Sequence, residues 1–296
     1  MIAGGLHQPS TGVLAWDSSV DEHAFTHERI AAAANGIPSV FQHTPQYQSD
    51  GLSRLLGVEV WLKVESVNPV GSTAGRGAEW WFEGHKDAHR IVCPSAGDFG
   101  VAMAHAGRSR GIAVDLFGPE SANRITVDDL RRSGTTVQLD GSDSLEAAME
   151  ARRYASVVDA QYVDDAAQVE FVVGSATMAA EMIDELADTT AVFVSTDTAY
   201  VPIGVGQWLH QNVPRVRVVA AAVGGGPVPI GAGNTAVDQS VHMDAEAIHM
   251  AQRALSRHEG LQVSAAGAST LAAATAAAPS IRGGKVIVIV GSRRLV

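Results

Sequence analysis

Cysteine is nearly absent from this chain: Cys93 is the only one in 296 residues, so no internal disulfide can form. It closes the apolar run Ile91-Val92-Cys93, where a buried strand thiol is expected. Clustered lysine and arginine runs are also lacking, and the formal net charge is −11. Binding phosphates needs a basic surface, which argues against nucleic acid or an anionic membrane as the main partner. No stretch approaches the ~18 consecutive apolar residues of a membrane span. The segment from Met1 to Pro9 has no basic region leading into an apolar core. A cytoplasmic protein with a small soluble ligand is the expectation.

What is present suits a compact α/β protein: 46% hydrophobic residues, 30 glycines, and enough length for two domains sharing one large interior. Apolar runs of four to seven residues alternate with helix-period segments, the pattern of β-α-β units and mostly parallel sheets with helices on both faces. Strands are predicted at Val58 to Val64, His89 to Cys93, Ala113 to Phe117, Thr135 to Leu139, Ala191 to Ser195, Val216 to Ala222 and Lys285 to Val290. Helices are predicted at Asp98 to Arg110, Ala122 to Ser133, Ser144 to Ala155 and Glu170 to Ala187, several with Asp or Ser near their starts. The alanine-rich stretch Ala265 to Ala278 reads as a helix packed closely on a sheet. Residues 45–156 are expected to form a small domain, and residues 1–44 with 157–296 a large one.

Four stretches carry a resemblance. They are His43-Thr-Pro-Gln-Tyr47, the run from Leu52 to Glu65, the loop Asn68-Pro-Val-Gly-Ser-Thr-Ala-Gly-Arg-Gly-Ala78, and Ser95-Ala-Gly-Asp-Phe-Gly100. In order and spacing they resemble the fold-type II pyridoxal-phosphate enzymes, the group of threonine and serine dehydratases, cysteine synthase and tryptophan synthase β. The resemblance implies a two-domain fold, commonly a homodimer, with a cleft lined by Ser72, Thr73, Ala74 and Arg76, by Ser95, Ala96, Gly97, Asp98 and Phe99, and by the segment Thr196 to Tyr200.

Several positions depart from the family pattern. The Schiff-base lysine falls on Ala74, whose methyl group can neither form an imine nor relay a proton. Asp98 stands where relatives carry a neutral amide, and it would repel an anionic ligand unless protonated or paired; its other reading is a helix N-cap. The phosphate-binding glycine turn is replaced by Thr196-Asp-Thr-Ala-Tyr200, with Asp197 at the expected phosphate position. The carboxyl end reads Val290-Gly-Ser-Arg-Arg294: Ser292 can donate to a ring, but two adjacent arginines are unusual there.

These departures together favour a repurposed protein holding no pyridoxal phosphate. It would bind a small amino-acid-like or carboxylate ligand, with Asp98, Asp197 and Tyr200 as acid-base candidates and Thr198 among the lining residues. Two alternatives stay open: a pyridoxal-phosphate lyase or dehydratase whose lysine was replaced by Ala74, and a non-catalytic partner of another enzyme. No metal is expected. His85 and His89, and the set His242, Asp244 and His249, lack the His-Glu-x-x-His pattern and read as solvated or capping groups.

Overall fold

The computed structural model describes residues 26–164, 168–182, 184, 187–224, 236–281 and 283–293. Among them, ten strands form two sheets. The larger runs in the order β1 (Gln46–Gln48), β2 (Glu59–Val64), β10 (Lys285–Val290), β7 (Thr189–Ser195), β8 (Arg217–Val223), β9 (Gln239–Met243). The smaller runs β5 (Thr136–Leu139), β4 (Ala113–Gly118), β3 (Arg90–Cys93), β6 (Gln161–Tyr162). Every pairing between these strands is parallel except β1 with β2. The helices among the described residues are α1 (His27–Gly36), α2 (Asp50–Leu56), α3 (Ala74–Gly84), α4 (Asp98–Ser109), α5 (Arg124–Arg132), α6 (Ser144–Val157), α7 (Val169–Glu181), α8 (Tyr200–Asn212), α9 (Ala245–Glu259) and α10 (Ala265–Ala277). None is long and apolar enough to cross a membrane.

The central strands are apolar on both faces because both faces are covered. In β10, Ile287 and Ile289 face one core with α3, α7 and α8, while Val286, Val288 and Val290 face another with α9 and α10. The first core continues into α4 and the inner face of the small sheet through Ile91, Cys93, Val114 and Leu116, so one interior joins both sheets. The outer face of the small sheet packs Val92 and Phe117 against Ala151 and Ala155 of α6. α10 is the predicted alanine-rich helix, and its small side chains let it lie against β7, β8 and β10.

The sheets do not follow the expected 45–156 boundary. β1 and β2 fall inside that segment yet pair in the large sheet, because β2 finds its parallel partner in β10 near the carboxyl end. The last strand of the small sheet, β6, lies beyond residue 156. The predicted helix from Glu170 to Ala187 ends as α7 at Glu181, and residues 183, 185 and 186 lie outside the described residues.

In parallel strands every carboxyl end points the same way. The segments leaving β2, β7, β8 and β10 therefore emerge on one edge of the large sheet, facing the turn between β3 and α4 of the small one. That crevice is where ligands bind in open α/β sheets.

Candidate functional site

Asn68 shapes the loop that leads into α3. Its side-chain oxygen accepts from the backbone N–H groups of Gly71 at 2.9 Å, Val70 at 3.2 Å and Ser72 at 3.4 Å, and its amide donates to the Ser72 carbonyl at 2.8 Å. Gly71 has φ +70°, and a Cβ there would lie 2.5 Å from Cδ and Nε of Arg293. The backbone N–H of Arg293 donates to the Gly71 carbonyl at 2.8 Å, tying the end of the chain to this loop. Ser72, Thr73 and Ala74 are all buried, with Ala74 the first residue of α3; the Ser72 hydroxyl finds no hydrogen-bond partner among the described residues. None of these three lines the open cleft.

Arg76, expected as a ligand-binding residue, lies in a buried ionic cluster. Its guanidinium donates to Glu65 at 2.8 and 3.1 Å, to Glu181 at 2.6 and 2.8 Å, and to the Thr177 hydroxyl at 3.2 Å. Lys63 completes the group with a 2.6 Å bond to Glu181 and a 3.1 Å bond to the Thr44 carbonyl. Burial alone would raise the Glu181 carboxyl, but Arg76 and Lys63 hold it down at about 2. The guanidinium of Arg76 is directed wholly into protein, so it fixes the loop and α7 rather than a ligand.

The cleft, about 970 Å³, is lined by the other expected segments. Ser95, Gly97, Asp98 and Phe99 come from the β3–α4 turn, Thr196, Asp197 and Thr198 from the β7–α8 turn, and Ser292 from the end of β10. Ala96 is buried beneath the first turn. The Ser95 hydroxyl accepts from the backbone N–H groups of Gly97 at 3.2 Å and Gly100 at 3.3 Å, filling part of the α4 N-terminus. Gly100 must lack a side chain, since a Cβ would lie 2.0 Å from the Ser95 carbonyl oxygen. The N-cap is Gly97, so Asp98 is the first residue of α4 and not its cap. Tyr200 heads α8 but is 1% exposed, its ring 5.5 Å from Phe171, and it does not line the cleft. The structure thus places this acid-base candidate in the core.

Asp98 and Asp197 face each other electrostatically. Burial first, then the negative charge of Asp197, pushes the Asp98 carboxyl up to about 7, against the pull of the Ser292 hydroxyl and the Arg293 guanidinium. Burial likewise raises Asp197, opposed by hydrogen bonds from Ser195 and from the backbone N–H groups of Thr198 and Asp197 itself. Asp197 is exposed as a residue, yet the protein around its carboxyl group desolvates it and raises it. Two neighbouring carboxylates resist ionising together, so the pair retains a proton near neutrality. The Thr198 hydroxyl, also on the cleft wall, is buried without a hydrogen-bond partner among the described residues.

Arg293 escaped the sequence-level selection of site residues, although the paired arginines at the end of β10 were its signal; Arg294 lies outside the described residues. The histidines are locally engaged. His85 stacks on Trp81 at 4.0 Å, His89 meets the Asp159 carbonyl at 2.9 Å, His242 meets the Gly224 carbonyl at 2.9 Å, and Asp244 caps α9. Among the described residues no three His, Cys, Asp or Glu side chains meet as a metal-binding group.

Comparison with known proteins places this geometry. The family model described as "Pyridoxal-phosphate dependent enzyme" matches residues 38–235, more than half of the chain. The biosynthetic L-threonine dehydratase of Haemophilus influenzae is 26% identical over 193 residues, covering 64% of this chain and 38% of the relative. The human serine dehydratase-like protein is 37% identical over 114 residues, covering 38% of this chain and 35% of the relative. These matches therefore span little more than a third of each curated relative's length. A solved threonine deaminase from T.th. superposes with a TM-score of 0.82 at 18% identity, covering 92% of this chain and 99% of that one, a likeness of fold.

The expectation of a protein with no cofactor is corrected by these matches, since the family is pyridoxal-phosphate dependent and its threonine and serine dehydratase relatives point to that cofactor. Two side chains depart from what the resemblance implies at such a site. Ala74 offers no amine for an imine, and Asp197 sets a carboxylate in the β7–α8 turn, where the resemblance implies a phosphate cradle. With seven predicted strands in place and the family model reaching into both sheets, the chain belongs to the pyridoxal-phosphate dependent enzyme family.

Proposed function

We propose that the cleft is an acid-base site for a small amino-acid-like or carboxylate ligand, with Asp98 and Asp197 as the proton-transfer pair. The observation that carries this reading is the pair itself: two carboxyls on facing turns, both raised, with Ser292 and Arg293 beside them. A pair that keeps one proton near neutrality supplies both a general acid and a general base at working pH. The Arg293 guanidinium offers a counter-charge for the ligand carboxylate. Proton transfer, and addition or elimination of water beside a carboxylate, are the reaction types within reach of these groups.

The test is proton NMR in D2O with a panel of small amino, hydroxy and unsaturated acids, run with and without added pyridoxal phosphate. At least one acid should be bound and turned over, and Asp197→Asn should slow that turnover by about 10²–10⁴-fold. Absence of binding across the panel, or an Asp197→Asn variant as fast as wild type, would refute the acid-base site.

A second reading rests on position 74, which heads α3 and is where the resemblance places the family's lysine. On that reading the chain is a serine- or threonine-deaminating lyase lacking only its amine. Ala74→Lys, given pyridoxal phosphate, should then develop visible absorbance and release a keto acid from serine or threonine. A colourless, inactive variant removes this reading.

A further inference from the structure

Beside the cleft lies a second, partly open pocket of about 270 Å³, bordered by the loop around Gly71, one face of α4 and the start of α5. It shares Asp98, Thr126 and Arg293 with the cleft, so these residues form a common wall. On α4, Asp98, Val101, Ala104, His105 and Arg108 repeat at helical spacing and present one face to it. Two guanidiniums therefore border a small space, Arg108 from α4 and Arg293 held across Gly71.

Neither arginine has an ion pair among the described residues; Arg108 makes one 3.4 Å contact with the Ser133 carbonyl. Of the acids on the cavity wall, Asp129 is taken by Arg132, and Asp98 belongs to the carboxyl pair. His105 sits edge-on to Phe41 with ring centroids 5.7 Å apart, and burial lowers its pKa, so near neutrality it adds a polar group rather than charge. Arg108, with no carboxylate partner among the described residues, and Arg293, whose charge is shared with Asp98, border a small space adjoining the cleft, a setting suited to a planar oxyanion.

We propose that this cavity is a second carboxylate subsite, and that the ligand is a dicarboxylic acid or acidic amino acid whose far carboxylate enters it past Arg293 to reach Arg108. This inference rests on the proposed small-acid site in the cleft. It deepens that reading by fixing the substrate class as diacid, with Arg108 as the specificity-determining residue.

The test is calorimetric titration of the full chain with pairs that differ by one charge at nearly constant shape, L-glutamate against L-glutamine and succinate against succinamate. The diacid of each pair should bind at least about tenfold more tightly, and Arg108→Gln should shrink that ratio to about threefold or less. Arg108→Lys should retain part of the preference, and thermal melts of both variants should match wild type because residue 108 is exposed. Equal affinity for diacid and amide in wild type, or a preference that survives Arg108→Gln, overturns the subsite while leaving the acid-base cleft standing. Failure of every compound to bind overturns both.

Discussion

Replacing Arg76 with alanine should lower the free energy of unfolding at pH 7 by about 3–5 kcal/mol, the usual cost of stranding buried charge by removing its partner. Glu65 is fully buried and takes two bonds from Arg76, and Glu181 takes two more, with Lys63 as the remaining cation within reach of Glu181. The loss should be largest near neutrality. Glu181 is held at about 2, below its ordinary 4.5, so its stabilising contribution is complete above pH 4.5 and fades as pH falls towards 2. The gap between wild type and variant should narrow over that same window as Glu181 takes up a proton. Urea unfolding followed at several pH values measures both features. A cost under about 1 kcal/mol, or one that does not change with pH, would show that the cluster is not the coupled unit described.

Much of this architecture was legible because its strands are short, β-branched and bounded by turn residues. All seven predicted strands occur, with boundaries within two residues. The omitted strands are polar or very short: β1 is Gln-Tyr-Gln, β6 is two residues, and β9 is an edge strand without an apolar run. None of these three strands has a fully buried residue, so they lack the hydrophobic signal used to find the others. α8 was obscured by Pro202, Gly204 and Gly206, which weaken a helix reading; the proline lies in the first turn, where it is tolerated. α9 had no such disguise, with an Asp244 cap and a buried stripe of Ile248, Ala251 and Leu255. That β2 joins the large sheet could not be read locally, because its partner β10 is more than 200 residues away along the chain.

The candidate site was readable only as motifs. Ser95 to Phe99 and Thr196 to Thr198 do meet across the cleft, since both follow parallel strands whose carboxyl ends face it. Motif spacing could not show that Tyr200 turns into the core, or that Arg76 spends its donors on two buried glutamates. It also gave no sign that Arg293 crosses Gly71 to stand on the wall between two cavities. Those facts depend on contacts between residues far apart in sequence.

Asp98→Asn should separate the electrostatic argument from mere shape, since it keeps the side-chain outline and removes the charge. The folded-state Asp98 carboxyl is raised from 3.8 to about 7, so between those values the native chain binds more protons than the unfolded one. Wild-type stability should therefore decline as pH rises through that interval and level off above it. Asparagine removes this penalty, so the variant should equal wild type near pH 4 and exceed it by about 1–3 kcal/mol at pH 8, allowing for the solvent that reaches the cleft. Its turnover should nevertheless fall by about 10²–10⁴-fold, because one member of the proton-transfer pair is gone. In the same variant Asp197 loses its carboxylate neighbour, so adding Asp197→Asn should stabilise the chain at pH 8 by less than that substitution does in wild type. A variant that is more stable by the same amount at every pH would mean that residue 98 titrates normally, and the paired-carboxyl basis of the proposed chemistry would fail with it.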